Sequence, residues 1–259
     1  MPAPLLVAPC AVAGLRAPQV AAAVARGVER AGLLPPDVCP LAGGGPGTRE
    51  VLLLGLGGET AGEVALLEGG GTALVEAVPG DSAATGGRVA DAVACGAAVV
   101  LLAADVAPMG DAGAATVAAV QARGGLGHAR LVVLCAGRRN LVPLEHTGGG
   151  LAGTLASALG ARLEHGPSFV LDALDVRERM RRAGAVIVGA DRLSTVTLSG
   201  TVEGDLAVDA RQDGVPAHAV CREDALLPFD QRILDLQHVL AAETLTELEA
   251  AGEAIARRL

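Results

Sequence analysis

The sequence predicts an α/β protein with a mostly parallel sheet covered by helices. Two observations carry that prediction. Unbroken apolar runs such as PLLVAP (4–9), AAVVLLAAD (97–105), RLVVLCAG (130–137) and AVIVG (185–189) recur along the chain. Stretches with helical spacing separate them. Strands buried on both faces read as continuous apolar runs, and parallel neighbours need crossover connections that are usually helical.

The elements follow in order. PLLVAP is a first buried strand. Pro18 suits the first turn of the next helix, Val20, Val24 and Val28 form its apolar stripe, and Gly32 is its terminal cap. The loop PPDVCPLAGGGPGTRE leads into 51–78, where apolar runs broken by glycine predict short strands or hairpins. Helices are predicted at GGRVADAVACG and DAGAATVAAVQARGG, and another opening from GGGLAGTLASALG. LDALDVRERMRRAG is read as helical, 202–213 as a helix and PAHAVC as a last core strand. TLTELEAAGEAIARRL closes the chain as a helix with Leu245, Leu248, Ile255 and Leu259 on one face.

Composition narrows the function. Apolar residues make up 51% of the chain and aromatics 1%, so the core must be built from Ala, Val and Leu, and no stacking platform for single-stranded nucleic acid exists. The net charge of −9 argues against nucleic acid and anionic membranes as partners. All 20 basic residues are Arg. A phosphate clamp would therefore need Arg, backbone N–H groups or a metal. The five cysteines lack any C-x-x-C pair and are read as buried free thiols in a reducing compartment. The five histidines show no metal-ligand spacing. No 18-residue apolar run is free of charge or glycine, and no basic leader precedes an apolar segment, so a soluble cytoplasmic protein is expected.

Two glycine-rich loops are candidate anion cradles. GGGPGT (43–48) lacks the Walker frame and reads more simply as a turn. GGGLAG (148–153) opens a predicted helix, where an anion site and close helix packing are equally good readings.

In order along the chain, several segments resemble the glycerate kinase family of the bacterial D-glycerate type. VAPCAVAG (7–14) lines up with I-A-P-D-S-F-K-G, and PLAGGGPGT (40–48) with P-L-A-D-G-G-E-G-T. DSAATGGRV (81–89) is similar to T-Y-G-T-G-E-L-I. AADVAPMGDAGAA (103–115) is similar to G-L-G-G-S-A-T-N-D-G-G-A-G. Residues 149–174 resemble G-G-L-G-A-G-L…L-G-A-x-L…V-L-D-A-L. VGADRLSTVTLSGT (188–201) resembles T-G-E-G-R-I-D-x-Q-T-L-x-G-K. The chain is shorter than is usual for that family, with the missing pieces around 58–82 and 122–145.

The resemblance implies two α/β domains. A Rossmann-like one, discontinuous, is expected over 1–57 plus 146–259, and a reduced middle one over 58–145. It also implies ATP and Mg²⁺ as cofactors, and D-glycerate phosphorylated to 2-phosphoglycerate. The charged motif positions, however, are mostly gone. Cys10 and Ala13 stand for the acid and Lys of the first motif, and Gly43 and Pro46 for the acid and Glu of the second. Gly110 stands for the Asn of the fourth. In the last, Ala190, Ser194, Val196 and Thr201 stand for Glu, Asp, Gln and Lys. Phosphoryl transfer depends on positioned cations, Mg²⁺ and metal-holding acids.

The expectation is therefore a glycerate kinase-like pseudoenzyme that binds or regulates, as a homodimer or paired with an active relative. Two alternatives stand beside it. One is an active small-molecule kinase with a rebuilt site, using Asp111 as acid and Arg192, helped by Arg138 or Arg139, as phosphate clamp. Asp111 equally suits a cap on the helix that follows it, and Arg192 a surface ion pair with Asp191 or Glu203. Gly44, Gly45, Thr48, Thr197, Gly149 and Gly150 are the candidate substrate-binding residues. The other alternative is a binding module without nucleotide, in which Cys10 is an activated thiol at a strand end.

Overall fold

The computed structural model describes residues 3–67, 69–104, 109–135 and 150–259. The chain forms two compact units, 1–42 with 171–259, and 43–170. The sequence-based boundaries, 1–57 with 146–259 and 58–145, draw the middle segment shorter at both ends.

Unit 1 begins with β1 (Leu5–Pro9), α1 (Ala17–Arg30) and β2 (Asp37–Val38). It resumes with α7 (Val176–Arg182), β9 (Ala185–Leu193), a 3₁₀ turn (Thr195–Ser199), α8 (Val202–Asp213), β10 (Ala217–Asp224), α9 (Pro228–Leu234), β11 (Leu236–Ala241) and α10 (Leu245–Ala256). Unit 2 contains α2 (Thr48–Leu56), β3 (Gly58–Ala61), β4 (Val64–Leu67), β5 (Thr72–Glu76), α3 (Ser82–Ala94), β6 (Val99–Ala103) and α4 (Ala114–Ala122). It continues with β7 (Arg130–Cys135), α5 (Gly150–Leu159) and β8 (Arg162–His165). A further helix, α6 (Gly166–Ala173), begins in unit 2 and ends in unit 1.

The unit 1 sheet has the order β11-β10-β9-β1-β2, and every neighbouring pair is parallel. From β1 the chain steps to β2 on one side; β9, β10 and β11 step away on the other. The order therefore reverses between β1 and β9, where parallel sheets open a crevice beyond their carboxyl ends. Pro9 and Gly189 are register partners at that point. A Cβ on Gly189 would lie 2.4 Å from the Pro9 Cβ, so glycine there permits the two strands to sit side by side.

Unit 2 carries the order β3-β4-β5-β6-β7-β8. The β3–β4 and β4–β5 pairs are antiparallel and the remainder parallel. The glycine-broken stretch 51–78 thus supplies most of a helix, α2, before the expected hairpin strands. The apolar run VLLLGL at 51–56 suits either a helix or a buried strand, and packing against β4 and β5 selects helix.

Each unit has its own aliphatic core. In unit 1 it joins Leu5, Val7, Val20, Val24, Val28, Ile187, Val220, Leu248 and Ile255. In unit 2 it joins Val64, Val75, Val89, Val100, Leu102, Val120, Val133 and Leu155. The predicted stripe of α1 is fully buried at Val20, Val24 and Val28. On α10 only half the predicted face is inside: Leu248 and Ile255 are buried, whereas Leu245 and Leu259, at the helix start and beyond its end, are exposed. Residues 171–184 do not form one helix, because Asp175 takes a left-handed φ of 51° between α6 and α7. Strands β8 and β11 carry little signal in the sequence; RLEH and LQHVLA are too short or too polar to stand out. Cys39, Cys135 and Cys221 are buried, but Cys95 is exposed, at the turn that ends α3.

With no large side chains to fill space, α1 and α10 pack nearly backbone to backbone. A Cβ on Gly27 would meet the Glu249 carbonyl oxygen at 1.9 Å, and one on Gly252 the Val24 oxygen at 2.3 Å. Around this crossing, Glu249 pairs with Arg26 at 3.1 Å and with Arg30. The substitution Gly27→Ala forces the helices apart and should cost about 1–3 kcal/mol, the usual range for overpacking. Urea unfolding of the variant should show a lower midpoint with an unchanged slope; an unchanged midpoint contradicts the close crossing.

Candidate functional site

The switch point between β1 and β9 is where a parallel sheet gathers ligand groups. Pro9 ends β1, and the Cys10 N–H donates to the Gly189 carbonyl at 2.9 Å, extending the pairing by one residue. The chain then turns tightly through Val12 and Leu15, with Ala13 in the left-handed region at φ 51°. This turn presents two polar anchors to β9 and α8. The Ala13 N–H donates to Asp191 Oδ1 at 2.8 Å. The Cys10 thiol donates to Glu203 Oε2 at 3.7 Å.

Asp191 is also gripped by Arg222 from β10, with Nε to Oδ1 at 3.0 Å and Nη2 to Oδ2 at 2.8 Å. That bidentate pair, followed by the Ala13 N–H, holds the Asp191 carboxyl below the usual carboxylate range. Glu203 behaves in the opposite way. Burial pushes its pKa up, and hydrogen bonds from its own backbone, Thr201 and Cys10 only partly offset that. The Cys10 pKa is raised well above its ordinary value, first by burial and then by the neighbouring Glu203. The expected activated thiol is therefore overturned: burial and a carboxyl group both disfavour thiolate, and no cation among the described residues opposes them.

The candidate residues named from the sequence fall in different places. Arg192 sits at the end of β9, more than half exposed, with its Nη2 3.4 Å from Glu223 Oε1. Its carboxylate partner is thus Glu223, across the β9–β10 pair, rather than Asp191 or Glu203. Asp111 belongs to the other unit. Its Oδ1 accepts from the Gly113 N–H at 3.0 Å and its Oδ2 from the Ala115 N–H at 2.8 Å, at the start of α4. Those bonds, the Ala115 one first, keep its carboxyl below the usual range. Asp111 thus closes the turn just ahead of α4, whose N-cap is Gly113, with both oxygens of an exposed side chain.

The loop 43–48 closes on itself. The Gly44 N–H donates to the buried Thr48 Oγ1 at 3.1 Å, and the Thr48 N–H to the Gly45 carbonyl at 3.1 Å. Gly44 has φ 94°, and a Cβ on it would lie 2.7 Å from the Gly166 Cα. Glycine here serves a left-handed turn and a close backbone approach to α6, and two of the N–H groups of the supposed cradle are already used. Thr197 is buried, its Oγ1 accepting from the Ser194 N–H at 3.0 Å in the cap of the 3₁₀ turn. Gly150, at φ 69°, is the first residue of α5. Gly149, Arg138 and Arg139 lie outside the described residues.

Reading the sequence missed Glu203, Asp191 and Arg222 as one connected edge. Asp191 offered a faint signal, since it stands where the last motif has a glycine. Arg222 and Glu203 gave none, because only the β9–β10 register and the position of α8 bring them to β1.

These features define a class: an α/β protein of two units, each with a largely parallel sheet flanked by helices. The comparisons then specify it. Residues 134–256 match the model of the glycerate kinase family. A crystal structure from Salmonella typhimurium LT2, of a protein assigned as glycerate kinase 2, superposes with a TM-score of 0.75 at 17% identity, over 100% of this chain and 98% of that one. No curated protein matches in sequence. That segment, just under half of the chain, is thus similar to the glycerate kinase family, and the whole chain shares the fold of the Salmonella protein.

Two measurements test this edge. Glu203 has a raised pKa, so the native state holds its proton more tightly than the unfolded chain does. Stability from this group is complete below the ordinary Glu pKa of 4.5 and is lost as pH rises through the native value. Glu203→Gln, which imitates the protonated form, should raise the melting temperature at pH 7 and leave it unchanged at pH 4. A variant that melts with the parent protein at both pH values contradicts the assignment. Thiol labelling of the native protein should modify the exposed Cys95 first, with Cys10 resistant until unfolding. Rapid labelling of Cys10 in a Cys95→Ser background would reinstate the activated thiol.

Proposed function

We propose that this glycerate kinase-like protein keeps the family frame without efficient phosphoryl transfer from ATP to D-glycerate, and acts as a binding or regulatory protein. The observation that carries this reading is the charge pairing at the β1–β9 switch point. Asp191 is held by Arg222 and the Ala13 N–H, Arg192 faces Glu223, and Glu203 accepts from the Cys10 thiol, its pKa raised by burial.

Mg²⁺ and nucleotide phosphates do not fit this arrangement. A metal requires deprotonated, accessible carboxylate oxygens. Here one carboxylate is clamped in a bidentate ion pair, and the other has its pKa raised by burial beside a thiol. Transferred phosphate requires uncommitted cations. Arg192 and Arg222 already have carboxylate partners, and the absence of Lys from the chain leaves the Thr201 position of the last motif uncharged. Loss of one preorganised charge commonly costs about 10²–10³ in rate.

The alternative of a rebuilt kinase rests on Asp111 and Arg192. Both are exposed and retain lone pairs or N–H groups beyond their present bonds. Glycerate-dependent ATP consumption, measured with Mg²⁺ beside an active family member, separates the two. The expected result is turnover indistinguishable from a blank. Turnover abolished by Asp111→Ala would establish the rebuilt site and overturn the inactive reading.

A further inference from the structure

The β10–β11 pairing, at one edge of the unit 1 sheet, carries two histidines that the candidate site does not use. β11 (Leu236–Ala241) is an edge strand, paired only with β10 and nowhere buried along its length. Its register with β10 slips at one point. Ala217 pairs with Leu236 but His218 with His238, so Gln237 is an extra residue in the ladder. Such a bulge leaves one residue unpaired and disrupts the ladder locally. The strand is therefore loosely secured at the two histidines.

His218 sits at this weak point in an environment that suits only its neutral form. It is 1% exposed, and its ring stacks on that of His238 with centroids 5.3 Å apart. Neither Nδ1 nor Nε2 of His218 has a hydrogen-bond partner, and both are sealed from solvent. Buried polar atoms are nearly always paired, and an orphaned one requires an explanation. The neutral ring leaves one N–H and one bare nitrogen unpaired. A protonated ring would leave two N–H groups and a charge, which burial penalises far more. Burial, and then the facing His238, lower the His218 pKa from the ordinary 6.5 to about 4.

No carboxylate is bonded to the His218 ring. On β9 its register partner is Ile187, part of the aliphatic core shared with α1 and α10. On α10, Glu253 is engaged by Arg30 and Arg257. Arg211, Asp235 and Arg258 share this edge of the sheet. Arg211 gives its Nη1 to the Ile233 carbonyl at 2.9 Å, and the Asp235 carboxyl accepts from the Gln237 amide at 3.2 Å. None of the three bonds to either nitrogen of His218.

We propose that the stacked, partnerless His218 and its neighbour His238 form an acid-sensitive latch that holds β11 on β10. A proton from solvent adds to the bare nitrogen of His218 only when β11 lifts at the bulge and water reaches the ring. Any charge on His238 then faces a like charge, which opposes reclosure. Helix α10 stays in place, because its backbone is packed directly on α1 at Gly27 and Gly252. An opened ring binds a proton more readily than the closed one. The latch is therefore fully closed above the ordinary histidine value of 6.5 and weakens as pH falls from there toward 4. Release of β11 bares the ladder groups of β10. The device needs no activity at the β1–β9 switch point.

The test is hydrogen exchange of the full chain at pH 7 and pH 5, with each amide's protection taken relative to its intrinsic rate at that pH. Protection of the β11 amides should fall at least about tenfold at pH 5, while β1 and α1 keep theirs. Full protection should return on going back to pH 7. His218→Leu removes the titrating ring and should abolish the fall. His238→Gln removes the opposing charge and should leave a smaller one. In the unaltered protein the imidazole NMR signals of His218 should titrate well below 6.5, in step with the loss of β11 protection, a reading that depends on no variant. The proposal is overturned if β11 protection is the same at both pH values, or if His218 titrates near 6.5. It is overturned equally if either variant shows the same fall as the unaltered protein, or if β1 and α1 lose protection together with β11.

Discussion

The approach of backbone to backbone, made possible by small residues, is the constraint on which unit 1 rests. A chain with almost no aromatics cannot fill wide gaps between layers, so its layers must come close. The crossing of α1 and α10 at Gly27 and Gly252 does this between helices, and Gly189 against Pro9 does it within the sheet. The same device joins the loop at Gly44 to the start of α6 in unit 2. A single methyl at these points would displace an element rather than a side chain.

That constraint also explains why the frame outlasts the charges. Motif glycines at 44 and 189 answer to packing, so they are held by stability whatever the chemistry does. Charged positions at a sheet edge carry little stability of their own and are free to change unless a reaction requires them. At the β1–β9 edge the replacement is internally neutralised. Asp191 and Arg222 satisfy each other, and Glu203 accepts from the Cys10 thiol, with the pKa of both groups raised by burial. An edge of this kind is stable without a ligand.

Local pattern made much of the architecture legible. The continuous runs at 5–9, 99–103, 130–135 and 185–189 are the central strands, because being buried on both faces leaves no room for polar alternation. The valine stripe of α1 is buried as its spacing required. Edge strands such as β8 and β11 escaped, since one exposed side permits polar residues and removes the signal. The break at Asp175 escaped because a left-handed aspartate differs from a helical one only in its backbone.

The sequence by itself determined the class of fold, the aliphatic character of the core, the absence of Lys and the emptying of charge from an ordered series of motifs. Each is a property of residue identity or of spacing within one element. Tertiary structure alone decided which charges meet. Arg222 reaches Asp191 only because β10 lies beside β9, and Glu203 reaches Cys10 only because α8 passes the end of β1. His218 loses its partners because β10 buries it against β11. Those pairings join residues far apart in the chain, and the energy that selects them is burial and register, which no local spacing encodes.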